Sequence, residues 1–304
     1  MLAIDDLAQL QNMDRTGRFG RAADLSGRVT ASARTARGVE TRLPSAQSVP
    51  GGPVWLWMDG IWAGIGKAVA ALPLHPTQAV PRPLFWAGDL PETARPDLPG
   101  FHLDLRGQLP PDLHPAQAFL ALLLLLDSQG IRPFPPKERR ASWSIHPWLP
   151  TEPIETNAAK GLAQRCITRV PLFWAGPEMA GVAQVWQRRY QEYAEAAAFW
   201  ATAGEMAESQ IMARFPRFWN QAGFAVHLLP AQVSAAYRGL TDGMKVLFAH
   251  RSMQLASVTA QPTDPVQAVW YLLEFGEWVA LYAAALNEVD PADQVPRQFL
   301  DGLG

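Results

Sequence analysis

The sequence predicts an α/β protein built from parallel sheets flanked by helices. Three observations carry that expectation: short apolar runs of strand length, helical stretches between them, and a strand–turn–helix unit around residue 60 that bears glycines. Parallel neighbours need long crossover connections, and the helical stretches supply them.

The composition narrows the class further. A chain of 304 residues with 48% apolar and 18% charged residues can bury one large core or two modest ones. A net charge of −2 with scattered basic residues leaves no electrostatic footprint for nucleic acid. The single cysteine, Cys166, rules out an intrachain disulfide or a thiolate metal cluster and fits a reducing compartment. The amino-terminal residues lack a basic stretch followed by an apolar block, so no signal peptide is expected. Phe119–Leu126 is very apolar but too short to span a bilayer. A cytoplasmic protein without a membrane partner is the resulting expectation.

Taken in order, Ile4–Gln11 and Arg15–Leu25 have helical spacing, with Asp14 and Thr16 as candidate caps. Gly38–Gly52 reads as a loop. Pro53–Met58 is a strand, Asp59-Gly60 a turn, and Lys67–Leu72 the start of a helix, with Gly64 and Gly66 before it. The first N–H groups of such a helix face the space above the strand, where an anion can sit. G-I-W-A-G-I-G lacks the dinucleotide spacing, so packing and anion binding both remain open for these glycines. Pro83–Ala87 and Phe101–Leu105 read as strands, the latter with His102 on a strand face, and Pro115–Ser128 as a buried helix.

Six prolines between Ile131 and Pro153 make that stretch a crossing between two halves, 1–150 and 151–304. Thr156–Arg169 reads as a helix carrying a core Cys166, and Val170–Ala175 as a buried strand. PLFWAG at Pro83–Gly88 recurs at Pro171–Gly176 and suggests that the halves share an architecture. Val182–Ser209 reads as one long helix with a possible break at Gly204. Gln210–Gln221 is predicted helical, Phe224–Leu229 and Lys245–Ala249 are predicted strands, and Ala268–Glu288 is a long apolar helix. A helix apolar on most faces is either central to the monomer or part of a subunit interface. His146, His227 and His250 have no partner at metal-ligand spacing, and neither a metal nor a cofactor is expected. No G-x-S-x-G elbow is present.

Four stretches together resemble the bifunctional phosphoglucose/phosphomannose isomerases. They are WMDGIWAGIGKAVAAL, Asn157-Ala158-Ala159-Lys160 followed by VPLFWAG, Trp186–Glu192 with Phe199-Trp200 and Glu205 behind it, and EWVALYAAALNEVDP at Glu277–Pro291. The resemblance implies two sugar-isomerase (SIS) domains, each a parallel sheet flanked by helices, a long apolar carboxyl-terminal helix, and a homodimer. It also implies aldose–ketose isomerisation of glucose 6-phosphate or mannose 6-phosphate to fructose 6-phosphate, a step in carbohydrate metabolism that needs a carboxylate base and an acid to open the ring.

Carried over on matching positions, the family's base falls on Glu192 and its ring-opening histidine on Glu208. Gly60, Gly64 and Trp62 stand in the first ligand loop; Trp86, Gly88, Glu92 and Thr93 stand in the second. The phosphate-contacting serine of the first loop is replaced by Ile61, the early hydroxyls of the second are gone, and the final-helix lysine has no counterpart. Each missing donor to a phosphate costs about 1–3 kcal/mol. Trp57, Trp62, Phe85 and Trp86 either plug the mouth or form an aromatic platform. Read from the residues alone, Glu192 on a polar helix face is solvated or paired with Arg188 or Arg189. Two expectations follow: a divergent isomerase using Glu192, or an inactive SIS-fold protein that binds a carbohydrate derivative or acts by association.

Overall fold

The computed structural model describes residues 4–24, 32–36, 54–58, 60–72, 84–86, 101–104, 114–128, 148–206 and 222–291. Its amino-terminal helices are set by aspartates. The Asp6 carboxylate accepts from Ala8 N–H and Gln9 N–H at the start of α1 (Leu7–Met13). Asp14 accepts from Arg18 N–H at 2.7 Å and Phe19 N–H at 2.8 Å at the start of α2 (Arg18–Ala23), the capping role expected of it.

Strand β1 (Val54–Trp57) leads into α3 (Gly60–Ala71). This helix begins seven residues before the expected Lys67, so Gly64 lies inside it. Glycine within a helix costs about 1 kcal/mol relative to alanine. Here a close approach of α3 to another helix requires it, as shown below. Strands β2 (Leu84–Trp86) and β3 (Phe101–Asp104) pair in parallel on either side of β1, giving the order β2-β1-β3. The apolar α4 (Pro115–Ser128) keeps the bounds read from the sequence.

After residue 150 the Asn157 side chain accepts from Ala159 N–H and Lys160 N–H and starts α5 (Ala158–Ile167). Then follow β4 (Val170–Ala175), a 3-10 turn (Pro177–Met179) and α6 (Ala180–Ala194). The remaining elements are β5 (Phe199–Thr202), β6 (Gly223–Leu229), α7 (Ala235–His250), β7 (Gln254–Thr259) and α8 (Pro265–Leu286). These four strands form a second all-parallel sheet in the order β5-β4-β6-β7.

Two expectations are corrected in this half. The helix read over Val182–Ser209 ends at Ala194, where Glu195 takes a left-handed φ of 50°. Phe199–Thr202 pairs with β4 instead, and a Thr202/Glu205 capping box closes the strand. Pairing to a central strand outweighs the helical preference of the alanine run before it. Lys245–Ala249 is not a strand but the last turns of α7, in which Thr241, Met244 and Phe248 are buried at helical spacing.

The first three strands of each sheet share one arrangement: the first is central, the second lies to one side and the third to the other. By this topology β1 corresponds to β4. The repeated PLFWAG does not follow it, because one copy forms the edge strand β2 and the other the central β4.

Every residue of α8 from Ala268 to Leu286 is buried. The Trp186 indole N–H donates to Leu272 O at 2.8 Å, and its ring lies where a side chain at Gly276 would have to go. Tyr282 O–H donates to Trp148 O. Phe19 of α2 packs on Trp278 and Tyr282 with ring centroids 6.2 and 5.7 Å away. The helix is long and apolar enough to cross a membrane, but 94% of its most apolar window is buried inside the chain. Its apolarity is accounted for within the monomer. A single cluster of buried apolar residues extends from Ile4 to Leu286, crossing residue 150 without a break.

Candidate functional site

In each sheet the chain leaves the central strand one way and returns to the other side of it. The carboxyl edge between β1 and β3, and that between β4 and β6, are therefore topological switch points, the places where ligands bind in open parallel sheets. α3 starts at Gly60 just past β1, and its first N–H groups have no intrahelical acceptor. Trp62 lies in its first turn, and Trp86 ends β2 in register with Leu56 of β1. At the level of the backbone, Gly60 and Trp62 thus stand past the carboxyl end of β1, and Trp86 stands at that of β2, on the side of β1 away from β3. Gly88, Glu92, Thr93 and Glu208 lie outside the described residues.

Gly64 has a different place. A Cβ there would meet Val185 Cγ2 at 2.8 Å and Gly181 O at 3.0 Å, while one on Gly181 would overlap Gly64 O and Ala68 N. Packing against α6 accounts for this glycine. Because Gly64 faces Val185 and Ala68 faces Gly181, the two helices run antiparallel. Continuing that register by one turn brings the Gly60 end of α3 level with Arg189, with Glu192 just beyond.

The Glu192 carboxylate accepts from Arg188 Nε at 2.9 Å and from Arg189 Nη1 at 2.8 Å. This is the pairing that its spacing allowed. Arg188 is 43% exposed, whereas Arg189 is 4% exposed and its Nε lies 3.7 Å from the buried Glu277. Tyr193 O–H donates to Glu277 at 2.8 Å, and Arg18 Nη1 donates to Tyr193 at 3.0 Å. Burial pushes the Tyr193 phenol well above its usual range, so it stays protonated. Glu192 is thus the outermost member of a chain of polar contacts that runs into the core.

The other switch point holds a crevice of about 290 Å³. Its polar lining residues are Glu178 after β4, Gln232 after β6 and Thr263 before α8; Leu72, Met179 and Val269 contribute apolar walls. Sequence reading passed over all three polar residues; the signal available was Gly176-Pro177-Glu178, a helix start directly after a buried strand. Glu178 and Glu192 are separated by about 20 Å along α6, so the two switch points are distinct places.

His227 has a partner that its spacing did not disclose. Its ring stacks on Trp174 at 3.6 Å, and Nε2 lies 3.0 Å from the Tyr237 hydroxyl. Burial, with a smaller contribution from Lys245, lowers its pKa to about 3 and keeps it neutral. Cys166 is fully buried, as expected of a core thiol, and burial pushes it up to about 12. Among the described residues no three His, Cys, Asp or Glu side chains are grouped as a metal site requires.

Two parallel sheets flanked by helices, with a crevice at the carboxyl edge of the second, define a protein of the SIS-fold class. Residues 155–296 match the family model described as bacterial phospho-glucose isomerase C-terminal SIS domain. Over those residues the chain is similar to that SIS domain. Its fold is similar to that of a glucose-6-phosphate isomerase like protein from Thermus thermophilus, with a TM-score of 0.57 and 21% identity over 97% of this chain and 99% of that one. It is also similar to a hypothetical protein from the same organism, with a TM-score of 0.55 and 13% identity over 97% of this chain and 94% of that one. No curated protein matches the sequence.

Proposed function

We propose that the chain binds a hexose phosphate at the carboxyl edge of the first sheet and interconverts glucose 6-phosphate or mannose 6-phosphate with fructose 6-phosphate. The observation that carries this reading is the antiparallel packing of α3 on α6, which sets the Glu192 end of one helix beside the Gly60 start of the other. A helix start offers N–H groups to a phosphate, and a carboxylate nearby can move a proton between adjacent sugar carbons. At rest both Glu192 oxygens accept from arginines. Arg188 is exposed enough to turn towards an incoming phosphate and uncover Oε1, while buried Arg189 holds Oε2 in place. Gly88, Glu92 and Thr93 as phosphate contacts, Glu208 as the ring-opening acid, a homodimer and a cytoplasmic setting belong to the same proposal.

One observation favours a second reading, in which the protein binds a carbohydrate derivative without turnover: the two arginines already occupy both carboxylate oxygens of Glu192, one each. A coupled assay with both aldose phosphates, run beside the Glu192→Gln protein, separates the readings. Turnover lost in the variant supports the isomerase. No turnover in either protein, with fructose 6-phosphate still raising Tm, supports binding alone; equal turnover in both removes Glu192 from the reaction.

A further inference from the structure

We infer that the crevice between β4 and β6 is a second ligand site, which takes a neutral polyhydroxylated molecule of monosaccharide size and excludes phosphate. The inference rests on the proposed function only in taking carbohydrate as the ligand class; it needs no turnover at Glu192.

The two switch points are topological counterparts, each following a central strand that feeds a helix. At the second, the chain supplies its own anion. Glu178 stands in the first turn after Gly176, and its carboxylate folds back so that a Cβ on Gly176 would lie 2.7 and 2.8 Å from its two oxygens. Gly176 has φ −66° and ψ 168°, values open to any residue, so glycine here provides space for the carboxylate and not backbone freedom. A negative group at a helix start is favoured by the dipole and fills the place where a phosphate would bind.

None of the described lining residues is basic, so a phosphate in this crevice would meet a carboxylate and no cation. The polar groups suit hydroxyls instead. Glu178 accepts, while Gln232 and Thr263 both donate and accept. Leu72, Met179 and Val269 offer an apolar wall to the C–H face of a ring. A volume of about 290 Å³ stands at the small end of ligand pockets, which start at roughly 300 Å³.

The test is calorimetric titration of the full chain with glucose, inorganic phosphate, glucose 6-phosphate and tetramethylammonium. The variants are Glu178→Ala, Gly176→Ala and Glu192→Gln. Glucose is expected to bind, and to weaken by about tenfold to a hundredfold in Glu178→Ala, the range for losing a charged hydrogen-bond partner. Gly176→Ala should weaken it too, because the backbone accepts alanine while the carboxylate is displaced; an unchanged Tm shows that the fold is intact. Glu192→Gln should bind glucose as the parent does. The inference is overturned by absence of glucose binding, by equal binding in Glu178→Ala, by competitive displacement of glucose by either phosphate compound, or by binding of the cation alone. Failure of the isomerase assay leaves each of these outcomes readable, so the two proposals fail separately.

Discussion

Gly64 and Gly181 bring two helices into backbone contact. A Cβ on Gly181 would overlap Gly64 O and Ala68 N, so no side chain fits between α3 and α6 there. These are the helices that follow the two central strands, and their closeness sets the Glu192 end of one beside the Gly60 start of the other.

Gly181→Ala should therefore destabilise the protein by about 3 kcal/mol, because the opposing atoms are backbone and cannot turn aside. Gly64→Ala should cost less, about 1–2 kcal/mol, since the first atom it meets is the Val185 methyl. Urea unfolding of both variants checks the order; equal stability of Gly181→Ala and the parent would show that the helices stand further apart.

Gly161→Ala should have the opposite sign. Gly161 lies inside α5 with no atom within 4 Å of its would-be Cβ, so alanine gains helix propensity without a clash. An increase of about 0.5–1 kcal/mol in unfolding free energy is expected. A loss would point to a neighbour that the open space does not reveal.

His227 should make stability fall with acid. Its folded pKa of about 3 is below the ordinary 6.5, so its contribution is complete above pH 6.5 and is lost as the pH drops towards 3. The slope from this group is at most about 1.4 kcal/mol per pH unit. His227→Phe keeps an aromatic ring against Trp174 and should remove one proton's worth of that slope in urea midpoints measured across the window. Parallel profiles for variant and parent would contradict a buried neutral imidazole.

Arg189→Met should cost about 3 kcal/mol, because Glu277 stays buried after losing the guanidinium 3.7 Å away. Adding Glu277→Gln should return part of the loss, a coupling that a double-mutant cycle measures. Additive effects would mean that the two charges do not act as a pair.

Much of the fold could be read from single stretches. Pro115 opens a long apolar run, and β4 is a buried strand bounded by Arg169 and Gly176, so both emerged with their bounds. Strand β5 did not, since AAAFWAT continues the composition of the helix before it and becomes a strand only by pairing with β4. QLASVT was missed for a related reason: β7 is an edge strand with mixed exposure and no apolar alternation strong enough to announce it. The duplicated PLFWAG suggested a shared architecture through strands that do not correspond; the correspondence lies in strand order, which only pairing reveals. At the first site, the arginine pairing of Glu192 was legible from i+3 and i+4 spacing. At the second, Glu178 acquires its place from Gly176 and from loops after β6 and β7, a conjunction made by the fold.

The packing of Phe19 on Trp278 and Tyr282 also fixes an order of events during synthesis. Phe19 leaves the ribosome well before Trp278 and Tyr282 and has to wait for α8 before it finds these partners. With elongation at about 5–20 residues per second, that interval is on the order of tens of seconds. Phe19, buried in the folded protein, lacks these two ring partners throughout that interval.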